Sequence, residues 1–219
     1  MGSRARFFES SLKLIPGVTI PLRSMLVESD EDSILISPVG TDEERAAVGR
    51  DLTTLVAPSL LHHLHLQHAA DVMQPRDIWV PPGLTDKLPT LRSVRVFGLD
   101  AWPHHDQLDF AIVEGAPKRN EIVFFHRPSQ TLYTADLFFH ILEPEGALSP
   151  IALRALGVHK RFAMMKMWKR WVEDEAAFKR SMAEILAWDF ERIVMAHGEI
   201  VATDARAMVE HALLERGLV

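Results

Sequence analysis

Four of the eleven histidines fall within seven residues, in Leu61-His62-His63-Leu64-His65-Leu66-Gln67-His68. They directly follow Thr54-Leu55-Val56-Ala57-Pro58, which reads as a short buried strand ending at a proline. Imidazole is the commonest side-chain metal ligand, and neutral at pH 7 it binds without first losing a proton. Histidines two apart on extended backbone, with another three on where a helix begins, can converge on one point. The bland alternative is a chance polar cluster at a strand end. Two further groups stand at strand ends: Asp136 after Thr131–Thr134, and His197 after Arg192–Ala196. Open α/β sheets place their sites just past apolar strands. A lone aspartate there is more often a helix cap, so the three strand ends together carry the metal reading. By strand alternation His62 should point away from His63 into the fold, as a hydrogen-bonded structural histidine. His104 and His105 lie in a loop and are expected to be solvated; His126, in the hairpin-tip run His126-Arg127-Pro128, is assigned to structure rather than catalysis.

Turn residues and apolar runs then outline the elements that must hold these groups. Pro16-Gly17 and Ser29-Asp30-Glu31-Asp32 separate three β-prone pieces, Val18–Ile20, Met25–Glu28 and Ser33–Ile36. Thr41 or Asp42 can cap a helix through Val48, with acids in its first turn. A helix is expected from about Gln67 to Met73, strands at Asp77–Val80, Ser93–Phe97 and Leu108–Val113, and a short helix at Leu84–Leu88. Glu121–Phe125 and Thr131–Thr134 make a hairpin. Leu148 to Trp188 reads as mostly helical, Arg192–Ala196 as a last strand and Asp204–Arg216 as a closing helix. Strands in hairpins, then strands interleaved with helices, predict an α/β protein with a two-sheet core and helices outside.

Composition narrows the function classes. The 219 residues are read as a single domain, residues 1–219. A net charge of -6 gives no global basic field for nucleic acid or an anionic membrane. The absence of cysteine excludes disulfides, thiolate metal sites and a cysteine nucleophile. No apolar stretch reaches the ~20 residues needed to span a bilayer, and the basic start lacks the apolar run of a signal peptide. A soluble, cytoplasmic protein acting on a small molecule is expected. The segment from Lys160 to Trp171 packs five basic residues among Met, Phe and Trp. Because Glu173-Asp174-Glu175 follows, it is read as a helix covering the site or as a homodimer contact, not a nucleic-acid or membrane surface.

The chain resembles the metallo-β-lactamase fold hydrolases, whose signature is His-x-His-x-Asp-His. His63-Leu64-His65-Leu66-Gln67-His68 matches it except at Gln67; Thr134-Ala135-Asp136-Leu137 resembles the bridging-aspartate segment, and Ala196-His197-Gly198 the last histidine. More narrowly, Ala57–His63, Phe124–Ser129 and Ile185–Asp189 resemble a little-characterised branch of that fold. The resemblance implies a four-layer αββα sandwich and the metal ligands His63, His65, His68, Asp136 and His197. Asp136 and Gln67 would occupy the catalytic positions. Two departures follow from it. Gln67 stands where the family has a carboxylate, and an amide cannot act as a general base. Gly115 stands where a further histidine is expected, with Glu114 and His126 as conceivable substitutes. Two dications against one carboxylate would leave about +3, so one divalent ion is favoured over a pair, zinc first and iron or manganese as alternatives. Two functions are open: a metal-dependent hydrolase of an ester, thioester, lactone or phosphoester, or a non-catalytic protein whose metal-free cleft binds a ligand or partner.

Overall fold

The computed structural model describes residues 3–49 and 52–218. A six-stranded sheet runs in chain order: β1 (Arg4–Ile15), β2 (Val18–Glu28), β3 (Ser33–Ile36), β4 (Thr54–Val56), β5 (Asp77–Val80) and β6 (Val94–Val96). β1, β2 and β3 pair antiparallel, whereas β3 to β6 are parallel. Helices α1 (Asp42–Val48) and α2 (Leu66–Met73) cross between these parallel strands. The second sheet contains β7 (Leu108–Ile112), β8 (Ile122–His126) and β9 (Thr131–Thr134), with β12 (Arg192–Met195) parallel to β9. A small antiparallel pair, β10 (Phe139–His140) and β11 (Phe162–Ala163), lies beside it. The remaining helices are α3 (Ser149–Leu156), α4 (Trp168–Trp171), α5 (Glu175–Ala187) and α6 (Ala205–Arg216).

The period-two alternation of strand side chains sorts the core into layers. Ile34, Ile36, Val56, Trp79, Phe124, Tyr133 and Val194 meet between the two sheets. Their neighbours face outwards: Leu35, Leu55, Ile78 and Val80 pack beneath Leu66, Ala69 and Met73 of α2. On the other side Val123, Leu132, Ile193 and Met195 pack against Trp168, Phe178, Met182 and Leu213. The result is a four-layer αββα sandwich, and each fully buried large apolar side chain stabilises it by roughly 1.5–3 kcal/mol.

Several local expectations change. Val18–Ile20 and Met25–Glu28 are parts of one long strand, and it pairs with Arg4–Ile15, a strand the basic start of the sequence concealed. The expected helix at Leu84–Leu88 is a run of turns. The region from Leu148 to Trp188 is interrupted: residues 158–167 are non-helical, and only Trp168–Trp171 of the basic–aromatic segment is helical. His104 is buried rather than solvated, held between Thr54 Oγ1 and Asp32 Oδ2 at 3.2 Å each, while His105 is exposed.

Candidate metal centre

The C-terminal ends of β3, β4, β9 and β12 meet at one edge of the sandwich, and each delivers a polar group there. Past β4 the chain turns at once, and Ser59 Oγ accepts the N–H groups of Leu61 and His62, both at 3.2 Å. This local turn aims His62 at the site. Strand alternation does not apply to a turn, yet His62 is enclosed and hydrogen-bonded as expected, its Nδ1 2.8 Å from Ser37 Oγ just past β3; what differs is that its Nε2 faces Asp136 and His197.

Asp136, past β9, is fixed from every side. Glu121 accepts the backbone N–H groups of Ala135, Asp136 and Leu137 at 2.9–3.1 Å. Trp168 Nε1 donates to the Asp136 carbonyl at 3.0 Å, and Ser59 Oγ donates to Oδ2 at 2.9 Å. His197, past β12, stacks on Phe139, and its Nδ1–H donates to the Pro21 carbonyl at 2.8 Å. Since a carbonyl only accepts, this bond fixes the tautomer and leaves His197 Nε2 with its lone pair facing the site.

Three atoms therefore converge. His62 Nε2 and His197 Nε2 are 3.2 Å apart, and they lie 3.4 and 3.5 Å from Asp136 Oδ1. Direct ion pairs between imidazolium and carboxylate close to about 2.7–2.9 Å, so the carboxylate contacts are looser than bonded partners. Four ligands at 2.0–2.1 Å in a tetrahedron have edges of about 3.3–3.4 Å, which this triangle matches. Among the described residues, His62, Asp136 and His197 are the group whose ligand atoms approach one another closely enough to share an ion.

Burial pushes the Asp136 carboxyl up, but His62 and His197 outweigh it and hold the carboxyl well below the usual range. Burial, reinforced by the charge of Asp136, pushes Glu121 up against the three N–H bonds it accepts. Burial lowers the Arg119 guanidinium while Asp136 and Glu121 oppose that shift; its plane lies over the Trp171 ring at 3.3 Å. The basic–aromatic segment thus serves the site from behind through Trp168 and Trp171.

The remaining predicted ligands are dispersed. His63 and His65 line the cleft but stand outside the converging triad. His63 Nδ1 is buried without a hydrogen-bond partner, and burial together with Lys87 lowers its pKa. Gln67 and His68 ride on α2, which begins at Leu66 and carries them away from the triad. Gln67 is bonded to Asp71 and Thr90, and His68 is exposed. Gly115 has φ 76°, and a Cβ there would collide with the Asp174 carbonyl, so the loop leaves no room for a histidine. Neither proposed substitute reaches the centre: Glu114 is exposed near Ser181, and His126 is held between Ser3 and Ser129. The signals for the missed groups were the short strand ending at Val56 and the Pro58-Ser59 turn, which place the first loop residues, not the later histidines, at the edge.

A cleft of about 320 Å³ opens above the triad. Leu12, Leu14, Ile20 and Leu22, on one face of the β1–β2 hairpin, form one wall; Pro38, Val39, Leu61 and Leu64 complete it.

No family profile and no curated protein matches the chain. Solved structures do. The rubredoxin oxygen:oxidoreductase from Desulfovibrio gigas aligns over 95% of this chain and 62% of its own, at 15% identity and TM-score 0.65. A variant of a flavo-di-iron protein from Thermotoga maritima aligns over 95% of this chain and 58% of its own, at 12% identity and TM-score 0.65. A metallo-β-lactamase from Pontibacter korlensis aligns over 100% of this chain and 95% of its own, at 14% identity and TM-score 0.65. Two sheets packed face to face between helices, with a histidine–aspartate cluster at their shared edge, thus place this chain in the metallo-β-lactamase-like fold.

Proposed function

We propose that the chain is a metal-dependent hydrolase holding one divalent ion between His62 Nε2, His197 Nε2 and Asp136 Oδ1. The observation that carries it is the triangle of 3.2, 3.4 and 3.5 Å edges, sized for a tetrahedral ion. When bound, such an ion supplies a water of lowered pKa and polarises an ester, thioester, lactone or phosphoester oxygen. The chain's own groups do the rest. Pro21 and Ser37 orient the two imidazoles through their Nδ1 atoms. Ser59 occupies Oδ2 so that Oδ1 remains for the ion, and Glu121 and Trp168 hold the aspartate backbone. The leucines of the hairpin keep bulk water from the floor of the cleft.

Charge supports one ion over two: a dication beside Asp136 leaves about +1, which one hydroxide neutralises. Three protein ligands with an open position are the usual makeup of a catalytic zinc site; two histidines and a carboxylate also suit iron or manganese. A structural neighbour described as a di-iron protein makes iron a serious alternative. The competing reading, a metal-free cleft that binds a ligand, draws on the 3.2 Å spacing of the two Nε2 atoms, which a shared proton also explains.

Elemental analysis of tag-free protein purified without chelators decides between them. About one zinc, iron or manganese per chain is expected, lost in His62→Ala, Asp136→Ala and His197→Ala. Metal-free wild type whose melting temperature does not rise on adding any of the three ions refutes the hydrolase reading.

A further inference from the structure

We infer that the cleft accepts a substrate bearing a neutral, straight aliphatic chain, an acyl or alkyl ester, thioester or lactone, and not a phosphoester. This deepens the hydrolase reading for the same site. It rests on a separate observation, the make-up of the walls. Leu12 and Leu14 share one face of β1, and Leu12 stands opposite Ile20 in the hairpin register. Leu61 and Leu64 face them from the turn after β4. Three of these side chains are left in water, Leu14 at 53%, Leu61 at 42% and Leu64 at 62% exposure, and all line the same cleft. Scattered exposed leucines need no explanation, but exposed leucines converging around one opening above a polar floor do.

Charge points the same way. Among the described residues, no lysine or arginine lines the cleft, and Asp136 is its only acid. A phosphate group at the floor would have only the ion and the histidines to balance its charge, and a phosphate or carboxylate farther along the substrate would meet apolar walls with no guanidinium or ammonium among the described lining residues, a costly burial. A methylene chain meets surface that already lacks water contacts worth keeping. In the reaction, water oxygen bonds to the acyl carbon, the bond from that carbon to the leaving oxygen or sulfur breaks, and the leaving group takes a proton from the water. The chain would lie along the leucines while the carbonyl reaches the floor.

Binding can be read without turnover. N-phenyl-1-naphthylamine fluorescence, with displacement by hexanol, octanol and decanol, is measured on chelator-treated and on zinc-loaded protein. Saturable binding is expected in both, with affinity rising about two- to fourfold per added methylene. Leu14→Glu and Leu64→Glu should each weaken decanol binding at least tenfold, while Leu99→Glu, exposed and outside the cleft, should not. Affinity independent of chain length, or unchanged in both cleft variants, overturns the inference. Chain-length-dependent binding by a protein that takes up no metal sustains it and removes the hydrolase reading alone. With zinc bound, faster release of p-nitrophenol from the phosphate than from the octanoate overturns the stated substrate class.

Discussion

Removing the Ser59 hydroxyl strikes the joint on which the centre is built. Ser59 is fully buried; it donates to Asp136 Oδ2 at 2.9 Å and accepts two N–H groups at 3.2 Å. In Ser59→Ala the buried carboxylate loses a charge-assisted bond, a cost of about 1.5–3 kcal/mol. The two longer N–H contacts lose their common acceptor and add about 1 kcal/mol. The expected loss in metal-free protein is thus about 2.5–4 kcal/mol, read as a lower urea midpoint at unchanged slope. A second effect separates positioning from stability. With Oδ2 released, the carboxylate can rotate, and zinc affinity measured against a chromophoric chelator should fall about 10–100-fold, as for other outer-sphere partners. Ser59→Thr, which keeps the hydroxyl, should recover most of that affinity. A stability loss below about 0.5 kcal/mol with affinity within twofold of wild type would refute this role. A stability loss with unchanged affinity would reduce Ser59 to a turn residue.

Other outcomes follow from named contacts. His68→Ala and Gln67→Ala should leave metal content and affinity within twofold of wild type, because both residues ride on α2 outside the triad; a lost ion in either would restore the signature histidines as ligands. Gly115→Ala should destabilise by at least about 3 kcal/mol in denaturant titration, from the left-handed φ of 76° and the collision with Asp174. His126 is buried, and desolvation lowers its pKa from 6.5 to about 4. The unfolded chain therefore binds this proton first, so stability is full above pH 6.5 and declines until about pH 4. Between pH 8 and pH 5 the difference is about 1–2 kcal/mol, after allowance for partial screening. His126→Gln should flatten that part of the profile in parallel urea titrations, and an unchanged slope would show that folding does not lower the pKa of His126.

The layers were legible because strand alternation and apolar runs are local properties. Ser33–Ile36, Thr54–Val56 and Arg192–Met195 each sit where their composition suggests, and the two sheets follow from their order. Asp136 and His197 were legible for the same reason, since each directly follows an apolar strand. The third member of the triad, His62, was not. Spacing drew attention to His63, His65 and His68, but spacing does not say where a turn ends and a helix begins. Leu66 starts α2, which turns His68 into solvent and leaves His62 as the residue the turn presents. Glu121 was equally hidden: a glutamate just ahead of an apolar strand gives no hint that it collects three N–H groups from a loop fourteen to sixteen residues on. The first strand went unread because only its first half is packed, through Ala5, Phe7 and Phe8, while Leu12 and Leu14 line the open cleft among exposed polar residues, so no continuous buried stripe marks it.

The β1–β2 hairpin over the cleft is fastened at its far end. Its turn carbonyl at Gly17 receives the N–H of Leu148, and Thr19 exchanges hydrogen bonds with Ser149 at the start of α3. The roof is therefore a beam supported at both ends, standing open by construction instead of closing over what enters. Its far end is held by the segment leading into α3, which contributes no member of the His62–Asp136–His197 triad. Lengthening or shortening that segment would change the bore of the cleft and press on the Pro21 carbonyl that holds His197. The hairpin thus carries both the leucine wall of the cleft and, through the Pro21 carbonyl, one of the bonds that orient His197, so a shift of the beam would be felt at both.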